Sequence, residues 1–597
     1  MNISFTKIGR VLFYIFVFSL PLFYISNSFV SMEFNKTIFL LPFLSIIAIF
    51  TILGIIKEGK FKMRGGFVSF GVIAFLLMAG ISTIFFSINP SNSFLGESGS
   101  ANSLISYLIY GGIFFLGSIL IKEKEHIKNV GLFLAASISI LNLGFLGRVL
   151  IGGDINLPLS SINILALLNV MGIIALFFLF REEKNPTVKG LLSLAFFILG
   201  AGLILINFNT AWFVLAIASF LMFWTLVLMN SFKKQNLSLL LVTIISVVLF
   251  LFNPTLPFDK GEDVQALGFN ESLQIAQHST FLGGGISSFD ETFLQYNPTK
   301  LQNGVYFESS TVAFTLINDL GILGIILFFI PFGYLVIKGF KNILFTKENP
   351  YEKMNFISFF ILFSLLFFYG FDLVLMSLFF LFSALVAGFS EKEVEISIKK
   401  MNSKTMVLIL AILSLILMAV LVLNYFYFRN YVAENYYGQA IESHSADRGK
   451  AIEYLEESDN YIEKEKTLIG LSQLYLLKAS DLYTQSRLLE TKEEDRQTIL
   501  EDCEEFMDLS ESKAIRATEI SPKDYYTWIN LGNIYNNRRY LRDEPVEDKI
   551  IACYAKASEL APNNKAAYSA LVEIYSELGN IEMREFYLEK IDLIEGK

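Results

Sequence analysis

The polar segment spanning residues 253–310 gathers a glycine run (Gly283, Gly284, Gly285), a histidine (His278), carboxylates at Asp290 and Glu308, and lysines at Lys260 and Lys300. A histidine or carboxylate can take a proton from an attacking hydroxyl, the first requirement of group transfer to an alcohol. Lysine ammoniums and closely approaching backbone amides oppose the charge that grows on an anionic leaving group. Glycine lets the backbone come that close. Arg148, Asn209 and Asp319 add polar groups from strongly apolar surroundings. A charge there is expensive, which marks Arg148 and Asp319 as candidates for the same site. Each has a plainer reading beside the chemical one. Arg148 snorkels to headgroups, Asp319 is paired, the glycines make a turn, and Asn209 caps a helix.

These residues must be held by elements that the composition identifies. With 54% hydrophobic residues, 60 Phe in 597 residues and a mean hydropathy of +0.53, the chain carries more apolar surface than a soluble domain can bury. A helix needs about 20 apolar residues to cross a bilayer, and the sequence offers about 13 such runs. They centre near residues 18, 47, 76, 112, 138, 170, 197, 219, 245, 325, 360, 380 and 416. The runs are continuously apolar, so helices are expected rather than the alternating strands of a barrel. The first run lacks a small-residue cleavage site and is expected to be a retained helix. The segment 253–310 then roofs a cavity at one membrane face.

Charge gives the orientation. Basic clusters at residues 7–10, 57–64, 122–128, 181–189, 232–234, 338–353 and 391–400 fall in alternate loops, and Lys/Arg excess marks the cytoplasmic side. The loop after Phe86 has no basic residue, and the long loop has only Lys260 and Lys300. The expectation is a multi-pass protein of the cytoplasmic membrane, N-terminus inside, with the loop and everything after the last span outside.

Composition changes after Phe428. The remainder holds 34 acidic and 21 basic residues and supplies all of the net charge of −9. The expected division is a membrane domain over 1–427 and a soluble domain over 428–597. In the latter, Trp528, Leu531, Gly532 and Tyr535 match the first helix of a tetratricopeptide hairpin, and Tyr554, Ala557 and Pro562 the second. The halves stand about six residues too far apart for that repeat, which predicts an enlarged turn over 536–545. A second unit follows from Lys565, and a weaker one is suggested over 451–458. Such hairpins stack into a surface that grips a partner or braces the domain beside it. The fold class is therefore all-α: a helical membrane domain followed by a helical repeat domain. Cys503 and Cys553 permit one disulfide but fit no metal site. No phosphate-loop, dinucleotide or zinc motif occurs, and an acidic tail without a basic stripe argues against nucleic acid.

The order of motifs resembles the O-antigen ligase and polymerase family of bacterial envelope glycosyltransferases, in the form that carries a tetratricopeptide tail. The residues that carry the resemblance are FLGGGISSF at 281–289, Tyr296, TLINDLGILG at 315–324, and SFLGESGSANSLISYLIY at 93–110. Where the family places an arginine before Ala-Trp, this chain has Asn209 before Ala211 and Trp212. Where the family has a histidine ahead of the later helix, it has Ser310. Asp319 corresponds to a family glutamate.

The resemblance implies transfer of a glycan from a polyprenyl-diphosphate carrier to a lipid, glycan or protein acceptor at the outer face of the cytoplasmic membrane, without metal or cofactor. It implies catalytic roles for Arg148, His278, Glu308 and Asp319. Substrate contacts fall to Asn209, Trp212, Gly283, Gly284, Gly285, Lys260, Lys300 and Ser310. Arg148 is the strongest outward cation, with Lys36 a further one. Two rival readings remain. One is a non-catalytic relative that binds envelope glycans and partners as a scaffold. The other is a transporter, which would require broken helix pairs and internal symmetry not evident in the chain.

Overall fold

The computed structural model describes residues 4–595 apart from 27, 65, 99–101, 153–156, 229–236, 253–268, 297–308, 345–348, 391–392, 398–402, 488–492 and 543–544. Its first half runs α1 (Phe5–Leu22), α2 (Met32–Glu58), β1 (Lys60–Arg64), α3 (Phe67–Ile81), α4 (Pro90–Leu95), α5 (Leu104–Leu120), α6 (Lys124–Ile151), α7 (Ile162–Glu182), α8 (Pro186–Ile206), α9 (Asn209–Leu228) and α10 (Leu237–Leu251). Two short helices, α11 (Phe269–Gln277) and α12 (Phe289–Tyr296), lead to α13 (Val312–Gly339), α14 (Pro350–Leu365), α15 (Leu373–Ser390), β2 (Glu393–Ser397) and α16 (Ser403–Ser443). The tail continues as α17 (Arg448–Tyr461), α18 (Glu465–Ser486), α19 (Glu493–Ile520), α20 (Tyr525–Arg542), α21 (Glu547–Leu560), α22 (Lys565–Glu577) and α23 (Ile581–Glu595).

The architecture is helical, as composition required, and every expected apolar run is centred in a helix. Among the described residues nine helices are long and apolar enough to cross a membrane. The remaining four runs form shorter helices, α5, α10, α14 and α15, of 15 to 18 residues. At 1.5 Å per residue those reach roughly 22–27 Å, less than the ~30 Å of a hydrocarbon core. Many apolar side chains point outward from this bundle, Phe70, Leu150, Phe197, Leu241 and Leu415 among them. Such a surface is compatible with lipid as its solvent. The interior is aromatic, with Phe328, Phe332, Phe379 and Phe380 packed edge to face.

One departure from an all-helical chain joins two loops that charge assigned to the same side. β1 and β2 pair antiparallel, Lys60 opposite Ser397 and Arg64 opposite Glu393. Lys60 Nζ also meets Glu395 Oε1 at 3.0 Å. α2 and α16 both have one end at this ribbon. α2 begins at the opposite end of the bundle, and α16, 41 residues and roughly 60 Å long, carries the chain there into the tail. The expected boundary near residue 428 falls inside this one unbroken helix.

In the tail, antiparallel neighbours α18 and α19, α20 and α21, and α22 and α23 pack in succession. The residues singled out by spacing do the packing: Leu531, Tyr535, Tyr554, Leu571 and Ile574 share one core, with Trp528 and Tyr575 against it. Gly532 is required by the Tyr554 ring, since a Cβ there would fall 2.5 Å from the ring. The enlarged turn expected over 536–545 is instead mostly helix, because α20 continues to Arg542. Arg538 on this extension bonds Asp508 and Glu511 of α19, and Arg539 bonds Glu577 of α22. Those pairs hold the added turns as helix. Cys503 and Cys553 are buried and unbridged.

Candidate functional site

The glycine run and Asp319 come together, and the cause is a break in α13. Thr311 caps the helix by accepting from Phe314 N at 3.3 Å. Nearly three turns later Gly321 adopts φ 68° and ψ −170°, outside helical geometry. That break exposes carbonyls that an unbroken helix would use. Gly284 N donates to Asn318 O (2.9 Å), Gly285 N to Asp319 O (3.1 Å), and Leu323 N returns a bond to Phe281 O (3.2 Å). Gly283 at φ 79° and Gly285 at φ 102° leave no space for a side chain: a Cβ would lie 2.2 Å from Asp319 O and 2.4 Å from Ser87 Cα. Glycine is therefore obligatory for close approach and for backbone conformation alike.

The Asp319 carboxylate is fully buried and is part of the same knot. Oδ2 accepts from Asn102 Nδ2 at 2.5 Å and from Ser287 N at 3.4 Å, and Oδ1 accepts from Asn318 Nδ2 at 3.4 Å. Ser82 Oγ donates to the Asp319 carbonyl at 2.9 Å. The anion-cradling role expected of the glycines meets a physical obstacle, because the amides of Gly284 and Gly285 are already committed to Asn318 and Asp319. Asp319 is a structural hub that ties the first loop, the roof and the broken helix.

The other candidates are dispersed. Arg148 lies in the last turn of α6, partly exposed, just before the left-handed cap Gly152. His278 follows α11 and stacks on Tyr296, ring centroids 4.4 Å apart and planes 7° from parallel. Asn209 opens α9. Trp212 is buried, and its Nε1–H donates to Asn207 Oδ1 at 2.8 Å, clamping the α8–α9 turn. Ser310 N donates to Ser272 Oγ at 3.1 Å at the entry to α13. Lys36, expected as an outward cation, is buried and donates to the carbonyls of Leu20, Pro21 and Phe23 at 3.3, 3.1 and 2.8 Å. It caps the C-terminal end of α1, where a cation is favoured. Glu308, Lys260 and Lys300 lie outside the described residues, as does the Asp290 side chain.

A cavity of about 650 Å³ opens beside the knot, between residues 89–98 and Ser287 on one side and α16 and α18 on the other. Its wall carries a charged cluster that sequence reading did not assemble. Glu434 Oε1 is 2.7 Å from Lys464 Nζ, with both side chains 1% exposed. Glu434 Oε2 takes Lys466 Nζ (2.9 Å) and Ser98 N (2.8 Å). Lys464 also donates to Gly96 O at 3.0 Å, and Lys466 reaches Glu97 Oε2 at 3.4 Å. Asn92 Nδ2 bridges Glu97 Oε2 (3.3 Å) and Glu465 Oε1 (3.0 Å). Burial pushes the Glu97 carboxyl above the usual carboxylate range, with Lys466 acting against that shift. Burial also opposes the Lys466 charge, but Glu434 and Glu97 outweigh it and hold that ammonium above the ordinary lysine range. The available sequence signal was slight: Glu434 is the first acid in a helix that is apolar through its first half, and Lys464, Glu465 and Lys466 alternate in sign.

The tail meets the roof a second time. Leu294 of α12 packs with Tyr525, Ala557, Ala561 and Ala567, and Asn563 Nδ2 donates to Gln295 O (3.0 Å) and Tyr296 O (3.1 Å). The long loop and the tail therefore share one end of the bundle, away from the β1–β2 ribbon. No protein-family model, curated protein or solved structure matches this chain.

Proposed function

We propose that the chain is a multi-pass protein of the cytoplasmic membrane, with about 13 spans, that transfers a glycan from a polyprenyl diphosphate to an acceptor hydroxyl at the outer face. One observation carries the reading: the first loop, the glycine-bearing roof and the tail converge on a single cavity of about 650 Å³ at one end of an apolar helical bundle. That is the volume of a ligand site, and its wall mixes carboxylates, amides and tyrosines suited to sugar hydroxyls. In the step proposed, a bond forms between the acceptor oxygen and the anomeric carbon as the carbon–oxygen bond to the diphosphate breaks. The acceptor proton passes to a carboxylate, and the diphosphate leaves with its electron pair. The tail reads as a stack of tetratricopeptide-type hairpins that closes the cavity and presents its outer face to a partner.

A second reading, a glycan-binding scaffold without turnover, is favoured by one specific feature. Among the described residues the cavity wall carries a single cation, Lys466, and it is engaged by Glu434 and Glu97. A departing diphosphate needs cations that are free to meet it. Reconstituted protein supplied with a polyprenyl-diphosphate oligosaccharide and candidate acceptors separates the two. Release of polyprenyl diphosphate with lengthening of the acceptor supports the transferase. Retained binding with no release from any acceptor selects the scaffold.

A further inference from the structure

Phe281, two residues ahead of the glycine run, turns a large apolar ring outward and is 59% exposed among the described residues. Its backbone is fixed at the break in α13: Leu323 N donates to Phe281 O at 3.2 Å, and a Cβ on Gly321 would fall 2.4 Å from that oxygen. The ring is therefore held by α13 and not by a loose loop tip. What it meets depends on the depth at which the break lies.

Two features give that depth. α5 is 17 residues, roughly 25 Å, long enough to cross most of the ~30 Å of a hydrocarbon core. It also packs on β1, and Leu120 O at its C-terminal end accepts from Arg10 Nε at 2.9 Å. At its other end, Asn102 donates to the Asp319 carboxylate, and Ser82 Oγ donates to the Asp319 carbonyl. The break is therefore level with the end of α5 away from the ribbon, where hydrocarbon gives way to headgroups. α16 marks the same level independently. Asn430 Nδ2 donates to Leu95 O (3.3 Å) and Gly96 O (3.2 Å), and Gly96 abuts Ser103 at the start of α5. Just before Asn430, Tyr425, Phe426 and Phe428 are exposed, as aromatic side chains are at a membrane interface.

The ring also continues a surface that is already apolar. Ile322, Ile326 and Ile330 are exposed at every fourth residue of α13. Leu77 and Ile81 of α3 and Phe85 of the π-helical turn that extends it, Ser82–Phe86, do the same on the neighbouring helix. Both stripes run up to the break, and Phe281 stands at their end. An aromatic ring there is favoured in acyl chains over water.

We infer that Phe281 anchors the glycine-bearing roof in the lipid, its ring among the acyl chains just beneath the headgroups. The inference rests on the proposed multi-pass reading and adds that one edge of the roof has the bilayer as its solvent.

The experiment uses the full chain in nanodiscs of phosphatidylethanolamine and phosphatidylglycerol. In protein lacking Cys503 and Cys553, spin labels are attached singly at Phe281→Cys, at Leu415→Cys on the exposed side of α16, and at Gln295→Cys in the exposed part of the roof beside the tail. Only variants that melt as wild type are compared. Collision with oxygen, which partitions into lipid, relative to collision with a water-soluble nickel chelate is expected to be several-fold higher at Phe281→Cys and Leu415→Cys than at Gln295→Cys. A label at Phe281→Cys that meets the chelate as freely as one at Gln295→Cys would overturn the inference, and so would a label shielded from both reagents, the signature of a protein cover. If the Leu415→Cys label also met the chelate freely, the membrane reading would fall and the inference with it. Wild-type protein supplies a second measurement that needs no variant. A phospholipid with a diazirine near the headgroup end of one acyl chain should, on irradiation, modify the peptide that contains Phe281. Adducts on α16 with none on that peptide would overturn the inference.

Discussion

Lys464 Nζ and Glu434 Oε1 stand 2.7 Å apart with both side chains 1% exposed, and they join the start of α18 to the C-terminal part of α16. Lys464 also donates to Gly96 O, and Ser98 N donates to Glu434, so the pair is the center of the docking contact and not an isolated bridge. Removing one partner of a buried pair leaves an uncompensated charge, which typically costs about 3–5 kcal/mol. Glu434→Gln should therefore loosen the tail, seen as faster proteolytic release of residues 448–595 and a lower unfolding temperature. Lys464→Met combined with Glu434→Gln should recover part of that loss. Release rates equal to wild type in Glu434→Gln and in Lys464→Met alone would show that docking depends on other contacts.

The knot around Asp319 makes a sharper prediction about glycine. Gly283→Ala places a methyl 2.2 Å from the Asp319 carbonyl oxygen at a backbone φ of +79°. The cost should be roughly 1–3 kcal/mol or more, measured by thermal unfolding in detergent. Gly200→Ala, in α8 with nothing within 4 Å, is the control and should change stability by under about 1 kcal/mol.

Carboxylates in the tail set its response to acid. Arg516 donates to both oxygens of Glu463 at 2.9 Å and holds that carboxyl below the usual range. Tyr540 and Arg539 do the same for Glu577. A lowered folded-state value means the stabilisation is complete above the unfolded carboxyl value, about 4.3, and is lost as pH falls through the folded one. The tail should thus become less stable as the pH falls below about 4.3. Glu463→Gln should flatten that dependence. A tail whose unfolding temperature is indifferent to acid would contradict this assignment.

Orientation is open to direct chemistry. In protein lacking Cys503 and Cys553, single cysteines at Glu582, in the tail that meets the long loop, and at Lys60, in the β1–β2 ribbon, probe the two sides. In cells with an intact cytoplasmic membrane, an impermeant maleimide should modify the Glu582→Cys protein at once. The Lys60→Cys protein should react only after permeabilisation. The reverse pattern would invert the proposed topology.

Much of this fold was written locally. Apolar runs located the helices, because a helix solvated by its own side chains and by lipid needs no distant partner to be recognised. The basic loops at residues 57–64 and 391–400 were placed on one side by charge, and they pair as β1 and β2. Trp528, Leu531 and Tyr535 were found by spacing because a helical hairpin repeats its packing positions. The cavity was not legible for the opposite reason. Asn92 meets Glu465 across 373 residues of sequence, and Ser98 meets Glu434 across 336, with no periodicity to announce either contact. The glycine run was visible as glycine, but its use was not. Only the break at Gly321 reveals that the amides of Gly284 and Gly285 serve Asn318 and Asp319. Lys36 was misread for a similar reason, since the carbonyls it caps belong to a different helix.

The most direct test of the account is to find where the glycan lies. A polyprenyl-diphosphate oligosaccharide carrying a diazirine on its carrier-proximal sugar, irradiated with the full chain in nanodiscs, would mark its site for peptide mapping. The account predicts attachment within residues 89–98 and 465–473, which line the cavity, and suppression of that attachment by excess unlabelled carrier. Attachment confined to α6 through α10, or none that unlabelled carrier can suppress, would contradict it.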